Sequence, residues 1–303
     1  MKKLFFAVMI FACAGLLASC SLNETETNGV LGKQIVFPSP GGDVGITAET
    51  KIEYDLPELE KQVAKQVGRK GLFLYSDPLE TDYSAAEKLG FDRNVFEEKG
   101  GKRYYKNGKE SMEIDRFGSF SYSCESLEAA YSYSDKESAE IARTFLKEHD
   151  LFPDGVSKCF ITGHESSYSP GTSTETLLAV TVTFYFPEMD GCRISGEGID
   201  VRINGKGEVT YVYYTRKRYQ KKEKAILIPL REAVLKWPYA GISMIEDDIT
   251  ADRIVIETAE VMYHADSDPE STIMQPVYCF TGTAYSKNGT SSIFSAAVQA
   301  NRY

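Results

Sequence analysis

Histidine, paired cysteine and nucleophile motifs are scarce in these 303 residues, and each shortage narrows the chemistry. The three histidines, His149, His164 and His264, stand far apart, none with a second His or a Cys at ligand spacing, which argues against zinc. No Cys-x-x-Cys is present, so thiol redox function is not expected. The sequence also lacks a G-x-S-x-G elbow, a phosphate loop and a dinucleotide fingerprint, and His164-Glu165, in a Ser, Thr and Gly-rich loop, lacks the second His of a metalloprotease helix. Asp247-Asp248 carries no weight, because 44 acids make such neighbours common. Asp266, Asp268 and Glu270 alternate as calcium ligands do, but without the Gly and distal Glu of an EF-hand a solvated turn is the expectation. No metal, no cofactor and no catalytic residue is therefore expected.

What is present is globular material: 42% hydrophobic and 26% charged residues exclude disordered, collagen-like and polytopic membrane classes. Lys2 and Lys3 precede an apolar run from Leu4 to Ala18, too short for the about 20 residues a membrane span needs. It reads as a secretion signal, residues 1–19. Leu17-Ala18-Ser19-Cys20 then resembles the lipobox of bacterial lipoproteins, which implies that Cys20 carries the lipid anchor and begins the mature chain. Two or more acyl chains hold a protein stably, each buried methylene contributing about 0.8 kcal/mol. Residues 20–33 are polar and aperiodic, as a tether is. The location implied is extracytoplasmic, with the lipid as the membrane attachment. Losing residues 1–19 removes two lysines and no acid, so the net charge falls from −10 to −12, which disfavours nucleic acid.

The remainder reads as one theme used three times. In residues 34–133, Leu56, Leu59, Val63 and Val67 follow Asp55 at helical spacing, Ser84 and Glu87 suggest a capping box ended by Gly90, and Asn107-Gly108 turns a hairpin that continues through Met112, Ile114, Phe120 and Tyr122. The region 134–303 repeats the order twice. In 134–224, a Ser134/Glu137 capping box opens a helix with Ala139, Ala142, Phe145 and Leu146 on one face, Pro153-Asp154-Gly155 stops it, and strands are expected over 176–186, 198–203 and 208–219. In 225–303, Pro229 starts a helix through Trp237 that Pro238 closes, and strands follow over 254–264, 275–285 and 291–300. The fold class is α+β, repeated helix plus antiparallel-sheet units, because short turns join the strands.

The stretch from Gly196 to Tyr214 (GEGIDVRINGKGEVTYVYY), the helix at 229–237 and Met274-Gln-Pro-Val-Tyr-Cys-Phe280 resemble the PepSY-related regulatory proteins of the YycH and YycI type. The resemblance covers residues 134–303 and implies cystatin-like units and a protein that modulates a membrane histidine kinase, or another envelope protein, by contact. Those regulators use an N-terminal transmembrane helix, whereas this chain has a lipobox.

Cys124, Cys159, Cys192 and Cys279 permit three disulfide pairings, and none is demanded, since Cys124 and Cys279 equally fit as small core residues. From Tyr211 to Lys224 six basic residues accompany four tyrosines, and Tyr214, Arg216, Lys217, Arg218, Tyr219, Lys221 and Lys222 form a candidate surface for a polyanion or partner. The competing reading is a strand end solvated by its charges. Three functions follow: an envelope regulatory protein whose sheet docks an envelope protein partner, a module for envelope polymer or small ligand, and an enzyme whose mark is a deep pocket of converging titratable groups.

Overall fold

The structure is a computed structural model that describes residues 46–67, 71–78, 80–127, 129–156, 158–169, 174–215, 217–240, 242–246, 249–265 and 272–302. Cys20, the signal and tether segments, Asp247-Asp248 and the Asp266 to Glu270 acids lie outside these residues. The chain opens with β1 (Ile46–Tyr54), α1 (Leu56–Val67), β2 (Phe73–Ser76), α2 (Ser84–Lys88), β3 (Glu97–Lys99), β4 (Lys102–Asn107), β5 (Glu110–Asp115) and β6 (Phe120–Cys124). It continues through α3 (Asp135–Glu148), β7 (Cys159–Ser169), β8 (Thr174–Phe184), β9 (Ile194–Ser195), β10 (Gly198–Asn204), β11 (Val209–Thr215) and β12 (Gln220–Lys224). It ends with β13 (Ile226–Leu227), α4 (Leu230–Ala240), β14 (Ile242–Ile245), β15 (Ala251–Ala265), β16 (Ile273–Tyr285), β17 (Ser291–Gln299) and β18 (Asn301–Arg302). With 17% helix and 51% strand, the fold is mixed and dominated by its sheets.

These elements form two compact units that interleave in sequence, where contiguous units dividing after residues 133 and 224 were expected. Among the described residues, the first unit takes 80–187 and 196–218, and the second takes 46–78, 188–195 and 219–302. The physical reason is long-range pairing: β6 pairs with β11, so 120–124 and 211–214 share one sheet across the expected boundary, while α1 packs beside β15.

The first unit is an antiparallel sheet in the order β3-β4-β5-β6-β11-β10-β8-β7. Alternation puts Met112, Ile114, Phe120, Tyr122, Val182, Ile199, Val201 and Val212 on one face, where α2 and α3 cover them. α3 begins as expected, the Ser134 side chain accepting Glu137 N–H and Glu137 reaching back to Ser134 N–H. Its end differs: the helix stops at Glu148, ahead of the Pro153-Asp154-Gly155 turn, and Asp150 follows at φ +51°. At α2 the expected box is absent, because Ser84 is already helical and its N–H is taken by Asp82 Oδ1 at 2.9 Å. His164-Glu165, expected in a loop, lies within β7.

In the second unit β15, β16 and β17 form an antiparallel meander, β14 adds beyond β17, and α1 and α4 supply Leu59, Val63, Val234 and Trp237 to its core. β1 and β9 run parallel to β15, unlike the wholly antiparallel sheet expected, since no hairpin links them to it. Between those partners the edge of β15 is met by a helix. Gln62 Oε1 accepts Ala259 N–H at 2.9 Å, while Gln66 accepts Val261 N–H at 2.8 Å and donates to Val261 O at 2.7 Å. Asp55 caps α1 by accepting Glu58 N–H at 3.2 Å. Pro238 sits inside the last turn of α4 rather than closing it, where only one intrahelical bond is lost.

Candidate functional site

Both helices of the first unit lie on one face of its sheet, and the opposite face carries polar and aromatic side chains in register. One row across seven strands reads Phe160, Thr183, Asp200, Tyr213, Ser121, Glu113, Tyr104. The next reads Gly163, Thr181, Arg202, Tyr211, Ser123, Ser111, Lys106. Tyr211 is 36% exposed and Tyr213 38%, whereas Val212 between them is buried, so period-two alternation sorts the tyrosine run into outward and inward members. Phe160 and Tyr185 meet edge to face at a 5.8 Å centroid distance and stand exposed at one end of the face.

The face compensates its own charges. Arg202 pairs with Glu165, and Lys102 with Glu113. Thr162 and Thr183 hydroxyls lie 2.6 Å apart, and Thr183 donates to Asp200. Burial lifts the Asp200 carboxyl above its ordinary range, the Thr183 bond offsetting part of the rise. Burial also raises the Tyr211 and Tyr213 hydroxyls, so both stay neutral donors at physiological pH. Beside Tyr211 the face dips into a hollow of about 430 Å³, bordered by the β4–β5 turn, the chain leaving β6, and Glu165 and Arg202.

The tyrosine and basic stretch singled out in the sequence is divided between the units. In the first, Tyr214 turns inward and stacks on Phe120 at 5.1 Å and 9°, Lys217 N–H donates to Glu197 Oε1 at 3.0 Å, and Arg218 bridges Glu80 at 2.9 Å and Asp82 at 2.6 Å. In the second, Tyr219 packs half-buried against the core, Lys221 lies 3.2 Å over the Phe73 ring and 3.7 Å from Asp190 Oδ1, and Lys222 is exposed on β12. Arg216 lies outside the described residues. Tyr75 and Tyr263 hydroxyls both donate to Asp190 Oδ2, at 2.6 and 2.8 Å, and burial raises both. Asp190 and Gly191 form a tight turn with φ +52° and +82°, so this cluster fixes a loop rather than opening to solvent.

A second hollow, of about 470 Å³, lies among Glu53, Asp55, Glu58 and Glu257 in the second unit. Its acids are engaged: Glu53 with Arg253, Asp55 as the α1 cap, Glu58 with Lys61 and Glu257 with the Thr283 hydroxyl. His149 caps α3, its Nδ1 2.9 Å from Lys88 O. Among the described residues, Cys124, Cys159, Cys192 and Cys279 are free thiols. Among the described residues no three His, Cys, Asp or Glu side chains converge as metal ligands, and no helix is long and apolar enough to cross a membrane.

Asp200 and Arg202 were not singled out by the sequence, and Tyr211 and Tyr213 only as members of the 211–224 stretch, outside its candidate surface, although the alternation of Tyr211-Val212-Tyr213 was the signal available. No protein-family model matches the chain, and no curated protein matches it. A solved structure similar to it is the Bacillus megaterium YpeB C-terminal domain, 12% identical, with a TM-score of 0.33, covering 74% of this chain and 99% of that one.

Proposed function

We propose that the chain is an extracytoplasmic binding protein, tethered to the membrane through a lipidated Cys20, that acts by contact through the open sheet face of its first unit. The carrying observation is that face itself: Tyr104, Tyr211 and Tyr213 stand in two polar rows that neither helix of their unit covers. Tyrosine gives a large contact area at a low entropic cost and keeps one end polar, which suits a wet recognition surface. Self-paired charges on the face, and the acids beside Arg218 and Lys221, favour a ligand of low charge over a polyanion. The sequence from Gly196 to Tyr214 and from Met274 to Phe280 supports a PepSY-related origin, and with it a regulatory role exerted on an envelope component.

The test places a photoreactive residue at Tyr213 in one full-length chain and at Leu235 of α4 in another. Irradiation of intact cells should yield envelope adducts from position 213 and not from 235, and Cys20→Ser should release the chain from membranes. Equal adducts from both positions, or none, would sink the face; unchanged membrane attachment of the Ser variant would sink the anchor.

A further inference from the structure

The hollow beside Tyr211 differs from an ordinary small-molecule pocket in its lining. At about 430 Å³ it has the size of one, yet such pockets are predominantly apolar. Here three cations, Lys106, Lys109 and Arg202, face three carboxylates, Glu110, Glu125 and Glu165, so the lining sums to zero charge. Arg202 and Glu165 neutralise each other, and Glu110 accepts the Tyr122 hydroxyl at 2.8 Å. An ion that engaged Arg202 or Glu165 would displace its partner and strand it, at a cost.

Between the charges stand groups that both give and take hydrogen bonds. Ser111 and Ser123 hydroxyls lie 2.8 Å apart on neighbouring strands and border the hollow, and the half-exposed Tyr211 ring forms one wall. Carboxylates only accept and ammonium or guanidinium groups only donate, so a ligand meeting both kinds must present groups that do each. Hydroxyls on a ring do so. A ring whose C–H edges are weakly positive also packs on the negative face of an aromatic side chain.

Resting on the binding reading above, we propose that this hollow is the seat of a neutral saccharide, its ring against Tyr211 and its hydroxyls shared among Ser111, Ser123, Arg202 and Glu165. The open face continues from the hollow through Tyr213 and Asp200, which gives a longer neutral glycan room beyond one sugar.

Saturation-transfer NMR on the full lipidated chain, held in a detergent without a sugar headgroup, tests this. The neutral probes are glucose, galactose, N-acetylglucosamine and two disaccharides, maltose and cellobiose; the charged ones are glucuronate, inorganic phosphate and choline. At least one neutral sugar should show transfer, and Tyr211→Ala should weaken its binding roughly tenfold, the scale of one lost aromatic contact. Ser111→Trp, which fills the hollow and leaves Tyr211 in place, should abolish it, whereas Leu235→Ala on α4 should not alter it. Circular dichroism of each variant separates lost binding from lost folding. Binding of the charged probes alone, of no probe, or of neutral sugar that survives both hollow variants overturns the proposal. If no sugar binds while position 213 still captures an envelope protein in cells, the saccharide falls and the binding face stands.

Discussion

Gln66 and Val261 exchange a pair of hydrogen bonds at 2.7 and 2.8 Å, the side-chain amide of a helix taking the place of a strand's backbone. The geometry works because Gln62 and Gln66 lie four residues apart on α1, about 6.0 Å, close to the roughly 6.6 Å that separates Ala259 from Val261 along β15. β1 serves the edge before this point and β9 after it, so the glutamines fill the gap between two parallel partners. Gln66→Ala leaves the Val261 N–H and C=O without a protein partner, and a loss of about 1–3 kcal/mol is expected in urea unfolding. Gln66→Glu should cost at least as much near neutral pH, because a carboxylate accepts the Val261 N–H but faces the Val261 carbonyl without a donor. Wild-type stability in the Glu variant would show that the exchange contributes nothing.

Asp200 gives the sheet face a pH signature. Its carboxyl is held above the ordinary 3.8 by burial, with the Thr183 hydroxyl working the other way. The folded chain therefore binds that proton more tightly than the unfolded chain does. The associated cost is absent below about 3.8, sets in as pH rises through that value, and is complete above the raised folded value. Asp200→Asn removes the titration while keeping an oxygen for the Thr183 hydroxyl. Its stability relative to wild type should therefore improve between about pH 3 and about pH 7. Urea midpoints of both proteins at the two pH values decide it, and a gap that does not change with pH counts against a raised carboxyl.

Thiol reactivity separates the cysteines. Burial pushes Cys192 and Cys279 up to about 12, and the nearby Asp190, Glu188 and Glu260 carboxylates add to the rise at Cys192. Since the thiolate is the reacting species, iodoacetamide at about pH 8 should modify Cys124 and Cys159 of the folded chain well before the buried Cys192, and before Cys279, which is partly exposed as they are but whose thiol is pushed up to about 12. Peptide mapping by mass spectrometry, with and without denaturant, reads the order. Modification of Cys279 at the same rate as Cys124 in the folded protein contradicts the raised thiol.

What the sequence announces locally, the fold keeps. The Ser134/Glu137 box, the Asp55 helix start and the strands expected over 275–285 and 291–300 depend on neighbours a few residues apart, and each is within two residues of where the pattern puts it. What depends on partners far along the chain is hidden. β1 finds β15 about 200 residues away, and β7 looks like a loop because Gly163, Ser166 and Ser167 are weak strand formers that β8 holds in place. The candidate site is hidden for the same reason. Tyr211 stands out in the sequence, but Arg202, Ser123, Ser111 and Lys106 become its row only through four strand registers. Among the basic residues that follow, Arg218 and Lys221 are matched with acids.

The register of β15 turns on a glycine of β16. Buried positions on β15 are Ile254 and Ile256 before a bulge and Ala259, Val261 and Tyr263 after it, so the extra residue at Glu257 shifts the phase by one and keeps both halves facing the core. Gly282 lies opposite Ile256 at that point, and a Cβ added there would sit 1.9 Å from Val255 O, a backbone atom with no freedom to swing aside. Gly282→Ala must therefore push the strands apart or undo the bulge, and undoing it would turn Ala259, Val261 and Tyr263 away from the core. Gly289 in the β16–β17 turn is the comparison: its φ of +86° makes Ala there strained too, but nothing lies within 4 Å of the added Cβ. Gly289→Ala should cost about 1 kcal/mol from backbone strain alone, and Gly282→Ala several-fold more, read as thermal midpoints of the two variants side by side. If the two fall together, close approach at the bulge is not what reserves position 282 for glycine.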